Sequence, residues 1–253
     1  MLRPRVIPCL TISGNKLVKT VRFSDPLYVG DPINAIRVFN DKEVDELVVL
    51  DIHVGKEGKA PNFELIHDLC TECFMPLAYG GGISTLKQVE QLIAMGVEKV
   101  ILNAATVTQP DLIREAVKHF GSQSIVGCID YKKGWLRTKP TVYTHSGSHH
   151  TKLDPIEHAK ALQELGIGEL ILQSIERDGT RKGYDLELLH EISQNLQIPV
   201  VAMGGAGTMA HLKEAFAYGA AAVSGGSFFV LHPAHRAVLI TYPSDQEIRS
   251  LRS

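Results

Sequence analysis

A chain of 253 residues with 44% hydrophobic and 21% charged side chains has the proportions of a globular protein that buries a large core without covalent staples. Lys and Arg number 26 against 28 Asp and Glu, a formal charge of −2, and the two signs are interspersed, which argues against nucleic acid as a partner. No apolar run reaches the roughly 18–20 residues of a membrane helix, and MLRPRVIPCLTISG at the start lacks a signal peptide's long apolar region, so a cytoplasmic protein with no membrane partner is expected.

In chain order, β-rich apolar runs fall at 5–10, 46–52, 76–79, 99–103, 124–130, 169–174, 199–203 and 221–225. Between them the apolar residues take helical spacing, as at Leu86, Val89, Leu92 and Ile93. Helix starts are signalled by Ser84 or Thr85 before Leu86, by Asp111 after Pro110, and by Thr208 before Met209.

One constant shift of 123 residues carries Asp31-Pro32-Ile33 onto Asp154-Pro155-Ile156 and Glu46-Leu47 onto Glu169-Leu170. It also carries Gly81-Gly82 onto Gly204-Gly205, Thr85 onto Thr208, and Gly96 and Val100 onto Gly219 and Val223. The chain is therefore expected to be a duplicated half. Eight strand-then-helix units in two equal halves predict an α/β fold, a closed (β/α)8 TIM barrel. It would be one domain over 1–253, with half-barrels at about 1–122 and 123–240 and a short tail. An open doubly wound sheet explains the alternation but not the equal halves.

Active sites of such barrels form where the strands end. The polar strand ends here are Thr11, Asp51, the glycines 80–82, Asn103, Asp130, Ser174, residues 204–207 and Gly225-Gly226-Ser227. The two glycine runs each follow a strand and precede a helix, so their backbone N–H groups can crowd around an anion. Asn103 and Gly226-Ser227 end the next strands, which predicts two opposed phosphate sites and a small-molecule substrate phosphorylated at both ends. Tight rim turns are the plainer alternative. Asp130, in the middle of the mouth, is a candidate general acid or base, or a turn aspartate. The equivalent slot in the first half holds Thr11, which cannot ionise near neutral pH. Asp51 either orients a ligand or caps its loop.

Other features are less informative. His145, His149 and His150 lie in YTHSGSHHTK without metal-ligand spacing and are expected in a solvated loop. Cys70 and Cys73 form a single C-x-x-C with no second pair, so no metal is expected, and four cysteines fit a reducing compartment. No G-x-S-x-G elbow or P-loop is present, and Trp135, Tyr131 and Tyr143 lack the basic interleaving of a nucleic-acid platform. No cofactor is implied. At the opposite barrel end, Arg5, Glu46, Lys99 and Glu169 start strands, which spacing alone explains as a solubilised rim or an ion-pair plug.

The segments RVIPCL, GDPI, DELVVLDI, YGGGI, GVEKVILN, FGSQSIVGCID, GELILQSIERDGT, KGYD, GGAG and EAFAYGA resemble the cyclase subunit of imidazole glycerol phosphate synthase, a lyase-type synthase of histidine biosynthesis. The resemblance covers nearly the whole chain. It implies a TIM barrel with a glutaminase partner on its bottom face, whose ammonia passes through the barrel to the top. There, in the family, ammonia and a doubly phosphorylated ribulosyl intermediate give imidazole glycerol phosphate and an aminoimidazole carboxamide ribotide. By this resemblance Arg5, Glu46, Lys99 and Glu169 match the ammonia gate. Gly82 and Asn103 match one phosphate site, and Asp178, Gly179, Gly205, Ala206, Gly226 and Ser227 the other, with Gly226 where alanine is usual. Lys19 matches a loop lysine, and Asp51, Ser146 and Gly147 fall on substrate-contacting positions. Asp130 matches one of two catalytic aspartates.

Thr11 stands where the family has the second. Ala104 and Gln173 also replace the usual threonines. A kept gate beside altered chemistry, with the tail HRAVLITYP, resembles a divergent branch associated with surface-polysaccharide genes. Its members are thought to supply ammonia, with a glutaminase and a sugar amidotransferase, for an acetamidino group on a nucleotide sugar. Three readings remain: such an ammonia-delivering barrel, a true histidine-pathway cyclase, and a non-catalytic binder of phosphorylated sugars.

Overall fold

The computed structural model describes residues 3–55, 57–133, 139–232 and 237–252. Trp135 lies outside the described residues, as does part of the tail segment beginning at His235. The strands are β1 (Arg5–Ser13), β2 (Lys16–Val21), β3 (Ser24–Gly30), β4 (Leu47–Asp51), β5 (Leu77–Gly80), β6 (Lys99–Leu102), β7 (Ile125–Lys133), β8 (Pro140–Thr144), β9 (His149–His150), β10 (Glu169–Ser174), β11 (Val200–Met203) and β12 (Ala222–Gly225). Eight of them, β1, β4, β5, β6, β7, β10, β11 and β12, pair in that order, all parallel, and β12 returns to β1. This is a closed barrel, and the open sheet is excluded.

The helices are α1 (Pro32–Asp41), α2 (Phe63–Glu72), α3 (Leu86–Ala94), α4 (Ala104–Thr108), α5 (Pro110–Phe120), α6 (Pro155–Glu164), α7 (Leu186–Asn195), α8 (Met209–Ala217), α9 (Ser227–Val230) and α10 (Asp245–Arg249). None is long and apolar enough to cross a membrane. Several repeated residues turn out to be helix caps. Asp31 accepts from Asn34 N, and Asp154 from the N–H groups of Ile156 and Glu157, each with proline at the helix start. Thr85 and Thr208 cap α3 and α8 in the same way. At α5 the cap position is Gln109, without a side-chain bond, and Asp111 lies inside the first turn.

Strand alternation divides the interior in two. On β1, Val6, Leu10 and Ile12 face the helices, while Ile7 and Cys9 face the lumen. On β7, Ile125 and Ile129 point out, and Val126 and Cys128 point in. Ile7, Val48, Ile101 and Ile171 join them in a lumen that is packed rather than hollow.

Two predicted boundaries move by more than one residue. Strand β1 continues to Ser13 and turns through Gly14-Asn15 into the antiparallel β2 and β3. Strand β7 likewise runs past Asp130 to Lys133 and carries β8 and β9. Of the histidines expected in a solvated loop, His145 lies in the turn after β8, and His149 and His150 are exposed as expected but belong to this second extension. His149 and His150 form β9, His150 pairs with Thr141, and its ring lies 5.0 Å from that of Tyr143. The cause is cross-strand pairing, which a polar composition does not reveal.

Candidate functional site

At the strand-start end, four side chains close the lumen. Arg5 donates from Nη2 to Glu46 (2.5 Å) and from Nη1 to Glu169 (2.5 Å). Lys99 Nζ donates to the other oxygen of each, at 2.9 and 3.0 Å. Two cations and two carboxylates thus alternate around a ring. Burial would push the Glu169 carboxyl up, but Arg5 and Lys99 outweigh it and hold it below the ordinary carboxylate value. The ring is an ion-pair plug, one of the expected alternatives, and it lies across the lumen axis rather than on a solvated rim.

At the strand-end face a cleft of about 460 Å³ runs from Asp51 and Gly80–Gly82 past Asn103 and Asp130 to Ser146 and Asp178. A smaller recess adjoins it, lined by Thr11, Lys19, Asp178, Gly179, Gly205, Ala206, Gly226 and Ser227. Thr11, Thr20, Gln173 and Asp178 belong to both. The residues singled out at the two glycine runs therefore meet at one mouth. In the recess, a side chain on Gly205 would collide with the Gly183 carbonyl, which is why that turn needs glycine.

Asp130 is 6% exposed, and burial pushes its carboxyl up to about 7, further helped by Asp178 and opposed by Cys128 and Asn103. A carboxyl with a midpoint there is matched to giving and taking protons near neutral pH. Asp51 Oδ1 accepts from the backbone of His53 (3.1 Å) and Val54 (3.4 Å), so it caps its loop while also lining the cleft. Asn103 donates to the Cys128 carbonyl at 3.0 Å, so its amide braces β6 against β7. Ser146 donates to the Ile52 carbonyl at 2.6 Å, and Gly147 follows it in the turn beyond β8. Asp178 accepts from Thr20 Oγ1 at 3.0 Å and so ties β2 to the loop after β10.

The buried Lys19 donates from Nζ to the Cys9 carbonyl at 2.7 Å. Burial lowers its pKa, against the pull of Cys9 and Asp178. One feature escapes sequence reasoning. The hydroxyl of Thr106 donates to Asn103 O (2.6 Å) and meets His158 Nε2 at 3.0 Å, a relay from α6 to the mouth. Burial depresses His158 to about 4, which keeps it neutral for that role. Nothing in the spacing of Thr106 and His158 announces the pair. Cys128, by contrast, lies two residues before Asp130, so strand period alone puts both on one face.

A family model described as "Histidine biosynthesis protein" matches residues 5–234. A Pseudomonas aeruginosa protein, provisionally named imidazole glycerol phosphate synthase subunit hisF2, is 51% identical over 244 residues, covering 96% of this chain and 97% of the relative. A Vibrio vulnificus protein, provisionally named subunit hisF3, is 43% identical over 98% of this chain and 95% of its own length. The imidazole glycerol phosphate synthase subunit HisF of Chlorobium phaeobacteroides is 42% identical over 87% of each chain.

Proposed function

Since the chain belongs to the histidine biosynthesis protein family, among the HisF-like cyclase subunits of imidazole glycerol phosphate synthase, we propose that it docks a glutaminase at the face closed by Arg5, Glu46, Lys99 and Glu169. Ammonia from that partner crosses the lumen to the mouth. We further infer that the chain is of the divergent branch, delivering ammonia for acetamidino-sugar formation in surface polysaccharide together with a sugar amidotransferase.

The observation that carries this reading is the pairing of a complete four-charge ring with a mouth lined by Thr11, where the family resemblance implies a carboxylate. A hydroxyl with no acidity near neutral pH cannot share proton transfer with Asp130. In this reading Lys19, Asp51, Gly82, Asn103, Ser146 and Gly147 bind what enters the cleft, and Asp178, Gly179, Gly205, Ala206, Gly226 and Ser227 form the second anion recess. Half-barrel duplication explains why the two anion sites face each other.

A second reading is a working histidine-pathway cyclase in which Asp130 alone suffices, favoured by its midpoint of about 7. The deciding experiment is a coupled assay with a candidate glutaminase and the doubly phosphorylated ribulosyl substrate, with ammonium salt as an alternative nitrogen source. Product from ammonium alone supports the second reading. Absence of product, with glutaminase activity raised by complex formation, supports the first. Failure of both leaves the third reading, a binder of phosphorylated sugars.

A further inference from the structure

Two thiols sit directly beneath the two central positions of the mouth. Cys9 precedes Thr11 by two residues on β1, and Cys128 precedes Asp130 by two on β7. Strand alternation turns each thiol to the same lumen face as the residue above it. Cys128 Sγ donates toward Asp130 Oδ1 at 3.7 Å, with both residues buried. Burial, reinforced by Asp130, holds the Cys128 thiol well above its ordinary pKa, so it stays an S–H donor and does not compete for the carboxyl proton.

We propose that Cys128 is a positioning residue for Asp130, whose S–H fixes Oδ1 and favours the ionised carboxylate. A donor to the charged form stabilises that form, and here it opposes the burial that otherwise keeps Asp130 protonated. The other groups around Asp130 act from different elements. Asn103 at the end of β6 also favours the ion, Asp178 beyond β10 disfavours it, and Gln173 on β10 and Tyr143 on β8 are its strand neighbours. Cys9 acts on Cys128 from across the lumen, and its own contact is with the hydroxyl of Thr11. Of the two mouth residues, only Asp130 has a proton that ionises near neutral pH. A role for this in turnover rests on Asp130 being the proton-transfer group, but the effect on Asp130 itself does not.

The test is a carbon-13 titration of the Asp carboxyls in the full chain, with the Asp130 signal assigned by Asp130→Asn. Cys128→Val keeps the volume without a donor, and Cys128→Ser restores a donor. Val should move the Asp130 midpoint up by about half a pH unit, and Ser should return it to the wild-type value or below. Val and Ser midpoints that both equal wild type in folded protein overturn the proposal. Should Val not fold, Cys128→Ala makes the same comparison. The pH profile of ammonium-driven turnover is the second readout. A moved carboxyl midpoint with an unmoved rate profile supports the positioning role and overturns the reading of Asp130 as the proton-transfer group.

Discussion

Lys19 Nζ stands 3.5 Å from Thr11 Oγ1, at the floor of the second recess. A buried ammonium thus meets a hydroxyl and the Cys9 carbonyl, while Asp178 acts on it only through space. Replacing the side chain at position 11 therefore changes both the proton chemistry of the mouth and the state of Lys19.

Thr11→Asp should bring a carboxylate within pairing distance of that ammonium. The pair would hold Lys19 charged and provide a second proton-transfer group opposite Asp130. Ammonium-driven cyclisation should rise by about 10²-fold or more, the usual worth of a positioned acid or base. Steady-state rates on the doubly phosphorylated ribulosyl substrate check this. No gain in a folded variant that still binds the substrate would mean that Thr11 is not what limits the chemistry.

Gly226→Ala tests why Lys19 reaches so far inward. A methyl at position 226 would collide with Lys19 Nζ, the far end of a flexible side chain, and press on the Cys9 carbonyl, so the lysine must withdraw and give up its bond to that carbonyl. The melting temperature should fall modestly with the loss of that buried bond, while Lys19 becomes reactive toward an amine-modifying reagent. Peptide mapping of the modified protein reads this out, and a Lys19 as protected as in the parent would contradict it.

Asp130→Asn should lower any turnover by about 10²- to 10⁴-fold. It should also change the pH dependence of stability. The native carboxyl titrates at about 7, above the ordinary value near 4 of an unfolded chain. Its contribution is therefore fully present below about pH 4 and is lost as pH rises through about 7. Denaturant melts between pH 5 and 8 should show that decline in the parent and lack it in the variant.

Arg5→Met leaves Glu46 and Glu169 facing Lys99 alone. The loss should be about 3 kcal/mol, the low end for a broken buried pair, because a third of the Arg5 side chain is exposed. Since Glu169 is held below its ordinary pKa, this stabilisation is present above about pH 4.3 and disappears as pH falls below it. Glutamine-driven product should fall while ammonium-driven product is kept. Equal loss from both nitrogen sources would assign the damage to the fold.

Much of this architecture is legible in the residues. Short continuous apolar runs locate all eight barrel strands, and the repeated Asp-Pro and Thr positions are caps whose chemistry is local. Asp130, Thr11 and the glycine runs meet at one mouth because a barrel brings every strand end to one face. The two hairpin extensions do not show in the apolar runs, although Gly14-Asn15 is a turn signal and Gly14 has φ +57. Asn103 bonding across to Cys128, and His158 reaching Thr106, depend on packing between elements 25 and 52 residues apart. No local pattern encodes such contacts.

The four charges of the ring come from β1, β4, β6 and β10, or the residue before them, and Arg5 meets Glu169 across 164 residues of chain. Neither half of the barrel contains the whole ring, because Glu169 lies in the second half and the other three charges in the first. It forms only as the first strand closes on strands synthesised long after it, and loop-closure entropy makes such contacts late ones. Substitutions there should therefore act mainly on the unfolding rate and leave the folding rate close to that of the parent. The ring should thus work as a latch on the finished barrel, its integrity setting how long the native state persists.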